Sequence, residues 1–131
     1  MLDTHAWVWA VLAHARLSRA ARRTLSSLRA GERVGLAAIS LKEAAWHAAR
    51  GRLALPEGER WEDWLRDASQ GPSLEILPLT AEIAIESEHF SDSFPADPAD
   101  RLIGATARLH RLTLLTADDR LRESSELRTI W

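Results

Sequence analysis

The sequence has no cysteine. That removes disulfides, thiolate zinc sites and cysteine nucleophiles, leaves oxygen ligands for any metal, and is compatible with a reducing compartment. It also lacks any apolar run long enough to cross a membrane. The opening stretch MLDTHAWVWAVLAHARL has no basic segment ahead of its apolar residues and carries Asp3 and His5. It therefore reads as neither a signal peptide nor a membrane anchor, and a cytoplasmic protein is expected. There is little excess charge of either sign: 17 basic side chains nearly cancel 19 acidic ones, so no global positive field holds nucleic acid and any such contact must be local. Repeats, low-complexity stretches and long linkers are missing as well. What is present, 46% hydrophobic and 27% charged residues over 131 positions, describes an ordinary globular protein, expected as one domain over 1–131.

Apolar periodicity gives the order of elements. Trp7, Val8, Val11, Leu12 and Ala15 recur at helical spacing from Thr4, placing Asp3 at a strand-to-helix junction. Only Met1 and Leu2 precede Asp3, so the first strand is expected to be truncated to a stub with few ladder hydrogen bonds to place that carboxylate. A helix opens at Ser18 and runs to about Ala30, stopped by Gly31, and 34–39 reads as a buried strand. Ser40 is expected to cap the next helix, with Glu43 at its third position and Gly51 ending it; another helix covers 61–68. The alternation repeats with a strand over 74–77, helices over 80–89 and 98–110, and a short strand over 113–115. A brief helix capped by Thr116 and a final strand over 127–131 close the chain. Strands alternating with helices predict a three-layer α/β/α sandwich around a mainly parallel sheet. Sites in such sheets form beyond the carboxyl ends of the strands.

Several acids sit where capping alone would explain them, since carboxylates accept free N–H groups and suit the positive end of a helix. Asp3 can cap the first helix, Asp97-Pro98-Ala99-Asp100 is a well-formed helix start, and Thr116-Ala117-Asp118-Asp119 repeats that form. Together they say more. The alternation puts the Asp3 and Asp118 junctions at carboxyl ends of parallel strands, and Glu43 and Asp100 begin helices leaving the same edge. Four carboxylates brought that close repel one another and raise their pKa values unless a cation neutralises them. Hard oxygen ligands select magnesium, or manganese as a substitute, and a metal-bound water is a nucleophile for phosphodiester hydrolysis. Thr116 could orient a carboxylate or water through its hydroxyl in addition to capping. Gly104, one turn after Asp100, costs about 1 kcal/mol against alanine inside a helix and implies close approach of a neighbour, a packed element or a ligand.

These residues together resemble the PIN domain, in its VapC toxin branch from prokaryotic toxin-antitoxin operons. LDTHAWVWAVL looks like that family's opening strand and first helix, AAISLKEAAWHAARGRLALP like its glutamate helix and following loop, and DPADRLIGATARLHRLTLLTADDRL like its final metal-binding segment. The resemblance implies that Asp3, Glu43, Asp100 and Asp118 are the acidic catalytic and metal-site residues, with Thr116 a supporting polar group and Asp97 a recurrent family residue. It further implies a magnesium-dependent endoribonuclease acting on tRNA, rRNA or mRNA, a cognate antitoxin as partner, and a homodimer.

Other features carry expectations of their own. Arg16, Arg19, Arg22, Arg23 and Arg29 form a local basic surface that is either a solvated helix face or a contact for RNA phosphate or an acidic antitoxin segment. Six tryptophans without a tyrosine is an unusual aromatic choice. Trp7, Trp46, Trp61 and Trp64 are expected in the core or between helices, and Trp9, off the main apolar face, at an interface; base stacking is a further use of such rings. The five histidines have no metal-ligand spacing and none is assigned to catalysis. Two other functions share parts of the pattern. A phosphoacceptor receiver domain also places aspartates and magnesium at strand ends, but it predicts paired acids after the first strand and an aspartate after a middle strand. Asp3 stands alone here, and 34–39 and 74–77 end without one. A PIN-like module that binds RNA or protein without cutting fits the same residues.

Overall fold

Asp3 starts the fold as a helix cap: its Oδ1 accepts the Ala6 N–H at 2.6 Å and opens helix α1 (Thr4–Leu12). A 3-10 turn at His14–Arg16 follows, and Ser18 Oγ caps α2 (Arg19–Ser26) by accepting the Ala21 N–H at 3.0 Å. That helix is shorter than its pattern predicts. The hydroxyls of Ser26 and Ser27 bond back to carbonyls within it, an alternative to helix propagation. Strand β1 (Val34–Ala37) runs directly into α3 (Ala38–Ala48), α4 (Trp61–Ser69) precedes β2 (Leu74–Leu77), and α5 (Ala81–Ser87) and α6 (Pro98–Leu109) follow. Strand β3 (Leu114–Leu115), α7 (Asp119–Glu123) and β4 (Thr129–Ile130) complete the order. The structure is a computed structural model and describes all 131 residues.

Both strand pairs, β1 with β2 and β3 with β4, are parallel. Between them lies Leu2, which bridges Leu36 on one side and Leu115 on the other, also in parallel. The sheet order is thus β2, β1, the Leu2 stub, β3, β4. The stub is as short as expected, yet it is tied on both sides: Leu2 N–H donates to Gly35 O at 2.9 Å, Leu115 N–H to Met1 O at 2.8 Å and Asp3 N–H to Leu115 O at 3.1 Å.

Alternation along the strands separates two cores. Leu2, Leu36 and Leu115 face one side with Trp7, Ala44 and Trp64 from α1, α3 and α4. Met1, Ala37 and Leu114, each one residue away, face the other side with Ile83, Ile103 and Leu121 from α5, α6 and α7. Two helical layers on opposite faces of a parallel sheet make the predicted α/β/α sandwich.

Four local readings need correction. The strand expected over 34–39 ends at Ala37, because its partner ends at Leu77 and Pro78 supplies no N–H; Ile39 stays apolar as part of the first turn of α3. Ser40 is not a cap. It lies inside that first turn, fully buried, and Glu43 falls in the second turn and not at a third capping position. Asp118, not Thr116, caps α7: its Oδ1 accepts the Arg120 N–H at 2.8 Å, while Thr116 Oγ1 accepts the Asp118 N–H at 3.0 Å and shapes the turn before it. Trp46 is exposed, although Trp7 and Trp64 pack together in the core with ring centroids 6.0 Å apart.

The neighbour that Gly104 admits is aromatic. A Cβ there would stand 2.9 Å from the tip of Phe94 and 3.0 Å from that of Phe90, which stack on each other at 3.8 Å. Arg101, three residues earlier, bonds the carbonyls of Ser87 and Phe90 at 2.9 and 3.2 Å. These contacts fix the first turn of α6, and Asp100 with it.

Candidate active site

Asp3, Glu43, Asp97, Asp100 and Asp118 line one cleft of about 190 Å³. Their positions follow from local folding. Asp3 ends the central stub, Asp118 follows β3 and caps α7, and Asp97 caps α6 through bonds from the N–H groups of Ala99 (2.8 Å) and Asp100 (3.3 Å). Glu43 projects from the second turn of α3, where Thr4 Oγ1 lies 2.6 Å from its Oε2 and 2.9 Å from Ser40 Oγ. The threonine beside Asp3 thereby links the first helix to the glutamate helix. The four acids predicted as a group, and Asp97 with them, are brought together across the carboxyl edge of the sheet.

The electrostatics are those of crowded acids. Asp3 is buried, and desolvation raises its pKa from the ordinary value, partly offset by the Thr116 hydroxyl and the Ala6 N–H. Burial, with the nearby charges of Asp97 and Asp118, pushes Asp100 up to about 6. Asp118 lies below its ordinary value because Arg120 bonds it directly. The Arg120 guanidinium sits between the two, Nη2 being 2.9 Å from Asp118 Oδ2 and 3.3 Å from Asp100 Oδ2. Asp118 has the shorter contact and Asp100 the deeper burial, so Asp100 takes up a proton first.

An all-oxygen donor set with surplus negative charge fits a hard divalent cation such as magnesium or manganese. No three acidic or histidine side chains are placed as ligands of a single ion. Positive charge among the acids comes instead from Arg120, whose side chain is 64% exposed and tethered only at its far end.

Sequence reasoning missed Thr4, Ser40, His5 and Arg120 at or beside this cleft. Adjacency to Asp3 and Asp118 was the available signal for three of them; Ser40 was visible but read as a cap. Thr116 is buried behind the acids, supporting the Asp118 turn. Arg16, Arg19, Arg22 and Arg23 do not line the cleft; Arg16 lies over the Trp9 ring and Arg22 donates to Ala15 O. The largest cavity, about 500 Å³, is at the amino ends of β1 and β2, is lined mainly by apolar residues such as Trp7, Leu25 and Leu74, and contains no carboxylate. Acid convergence, not cavity size, marks the candidate site.

For a parallel α/β sandwich with acids gathered at its carboxyl edge, comparison with known proteins gives the class to which the chain belongs. Residues 1–127 match the model of the PIN domain family, and the chain belongs to that family. It is 36% identical over 135 residues to Ribonuclease VapC22 of Mycobacterium tuberculosis, an alignment covering all of this chain and 97% of that one. Among solved structures, it resembles VapBC2 from Rickettsia felis bound to a promoter DNA fragment (TM-score 0.71, 17% identity, covering 99% of this chain and 98% of that one). FitAcB from Neisseria gonorrhoeae is similar to it at TM-score 0.71 and 23% identity, covering 99% and 95% of the respective chains. These two likenesses bear on the fold.

Proposed function

We propose that this protein is a divalent-metal-dependent endoribonuclease, the toxin of a toxin-antitoxin pair, which hydrolyses RNA phosphodiesters at the carboxylate cleft. The observation carrying this reading is the convergence of five acids from four separated segments, residues 3, 43, 97–100 and 118, on one small cleft. Similarity over its whole length to a protein named as a ribonuclease supports the reaction.

Asp3, Glu43, Asp100 and Asp118 would hold magnesium, or manganese in its place. When bound, the ion offsets phosphoryl charge and supplies a water acidic enough to attack. Asp3 is rigid, because the cap bond and the ladder hydrogen bonds on both sides fix its backbone. The Thr4 hydroxyl orients Glu43 by bonding Oε2, leaving Oε1 free of that bond. Asp97 holds the first turn of α6 and so aims Asp100. Arg120, on an exposed side chain, can leave its carboxylates for the phosphate backbone.

A cognate antitoxin and a second copy of this chain are the proposed partners, and the cytoplasm the proposed location. A structural neighbour from Klebsiella pneumoniae, solved as a toxin-antitoxin complex, supports the first, and no helix here is long and apolar enough to cross a membrane. The ion pairs of Arg120 favour a second reading, a PIN-like module that binds RNA or protein without cutting. Purified antitoxin-free protein is expected to cleave RNA with magnesium or manganese and to stop with chelator. Asp3→Asn and Asp100→Asn should each reduce the rate by about a hundredfold or more, of the order lost with a group stabilising the transition state. Cleavage that survives either change would remove the proposed site. Binding with no cleavage of any RNA under either metal would leave the module.

A further inference from the structure

Two histidines flank the acid cleft without a hydrogen bond to any of its carboxylates. His5 lines the cleft, one residue past Thr4 on α1, and is exposed. His47 is half-buried on α3, four residues after Glu43 and therefore on the same helical face. The bonds from Thr4 to Ser40 and Glu43 hold α1 against α3, and the two imidazoles meet there with ring centroids 6.1 Å apart. His14, His89 and His110 pair with no second imidazole.

That spacing suits one shared ion. Imidazole nitrogen binds zinc at about 2.0–2.1 Å, so two rings on one ion have centres about 5 Å apart at the tetrahedral angle and about 6 Å apart at wider ones. The rings need only turn; their helices need not move. Of the five histidines only His89 has a side-chain partner, Glu86 at 3.4 Å, so the nitrogens of His5 and His47 are free. Burial first, then the charges of His5 and Arg52, lowers the His47 pKa, which keeps its ring in the neutral, ligating form at pH 7. Arg50 and Arg52 lie over the Trp46 ring, while the acids on the cleft side favour a cation. Imidazole takes zinc, copper or nickel where carboxylate and water take magnesium, so the rim and the acids differ in the ions they select.

We propose that His5 and His47 form a second metal site for an ion of the zinc class, and that its occupation inhibits the nuclease by recruiting Glu43 as a third ligand. Thr4 holds Glu43 Oε2 and leaves Oε1 free of that bond. As they stand, the three side chains do not surround one point; rotation about their side-chain bonds would close the set, with water completing it. A glutamate turned to the rim is lost to magnesium. The inhibitory effect rests on the ribonuclease reading, whereas binding of the ion does not.

The test is calorimetric titration of the full chain with zinc in excess magnesium, which fills the acids. Zinc should bind the parent one to one, and His5→Gln and His47→Gln should each weaken it by at least about tenfold, the least that a lost supporting partner of a ligand costs. His110→Gln should bind as the parent does. With copper in place of zinc, electron paramagnetic resonance should show hyperfine splitting from two imidazole nitrogens, reduced to one in either variant. In RNA cleavage with magnesium, zinc should inhibit the parent, and His47→Gln should cleave as the parent does without zinc and need at least about tenfold more zinc for the same inhibition. Zinc affinity equal in the parent and both variants, or splitting from a single nitrogen, overturns the site. Equal inhibition of the parent and His47→Gln overturns its control of cleavage. Two-nitrogen binding by a protein that cleaves no RNA under any metal keeps the site and rejects the nuclease.

Discussion

Arg120 occupies the cleft as a tethered cation between Asp100 and Asp118. A guanidinium neutralises without the tight coordination of a divalent ion, and exposed ion pairs of this kind contribute only about 0.2–1 kcal/mol each. It is therefore a weak competitor for the acids. Arg120→Ala is expected to tighten manganese binding by about two- to tenfold in calorimetric titration, since both contacts must be given up before the ion can bind. Equal affinities in the two proteins would show that the arginine stands aside at no cost. At this scale the sequence was legible in part. The acids declared themselves through their helix starts, and all five reached the cleft. Thr4, Ser40 and Arg120 were not singled out for it: Thr4 and Arg120 stand beside or near acids that were, but the partners Thr4 shares with Ser40 and Glu43, and the Arg120 contact to Asp100, lie 20 to 39 residues away.

Helix α6 shows how an element delivers one carboxylate. Asp97 caps it, Pro98 begins it with a ring already suited to helical φ, and Arg101 ties it to α5. Gly104 lets the stacked Phe90 and Phe94 lie against its backbone. Gly104→Val should destabilise the fold by roughly 2–3 kcal/mol, since the added side chain meets rings in a packed core and not open space. Urea denaturation would read this, and a variant as stable as the parent would mean that the phenylalanine pair can move aside. The sequence marked α6 almost to the residue because its start and stop signals are strong. It misjudged α3, where an unbroken apolar run from β1 into the helix hides the change from a period of two to one of 3.6. Short strands suffered most, the last shrinking from an expected 127–131 to Thr129–Ile130.

For the whole molecule, acid crowding couples stability to pH. Asp100 has its pKa lifted from 3.8 to about 6, so from roughly pH 4 to 6 the folded protein holds a proton that the unfolded chain has lost. The stabilising effect of that proton disappears as pH rises through the window, and the charged acid is a burden at neutrality. Asp100→Asn should stabilise the metal-free protein at pH 7 by roughly 1–2 kcal/mol after allowance for partial solvation, and very little at pH 4. Thermal unfolding in chelator measures the gap between the two proteins, which also cancels the opposite contribution of His47, whose pKa is lowered. Added magnesium should close the gap at pH 7 by stabilising only the parent. A gap that is constant with pH would contradict the burial of Asp100.

The middle of the sheet is Leu2 alone, paired with Leu36 on one side and Leu115 on the other. Its second partner is synthesised 113 residues after it. During translation, Asp3 emerges almost at once but has no finished seat until the chain has reached Leu115, and Asp118 follows only three residues later. The carboxylates of the cleft thus mature together near the end of synthesis. A chain released early, lacking β3, leaves Leu2 paired on one side only and lacks the last of the acids, so the cleft exists only on a chain that has passed Asp118.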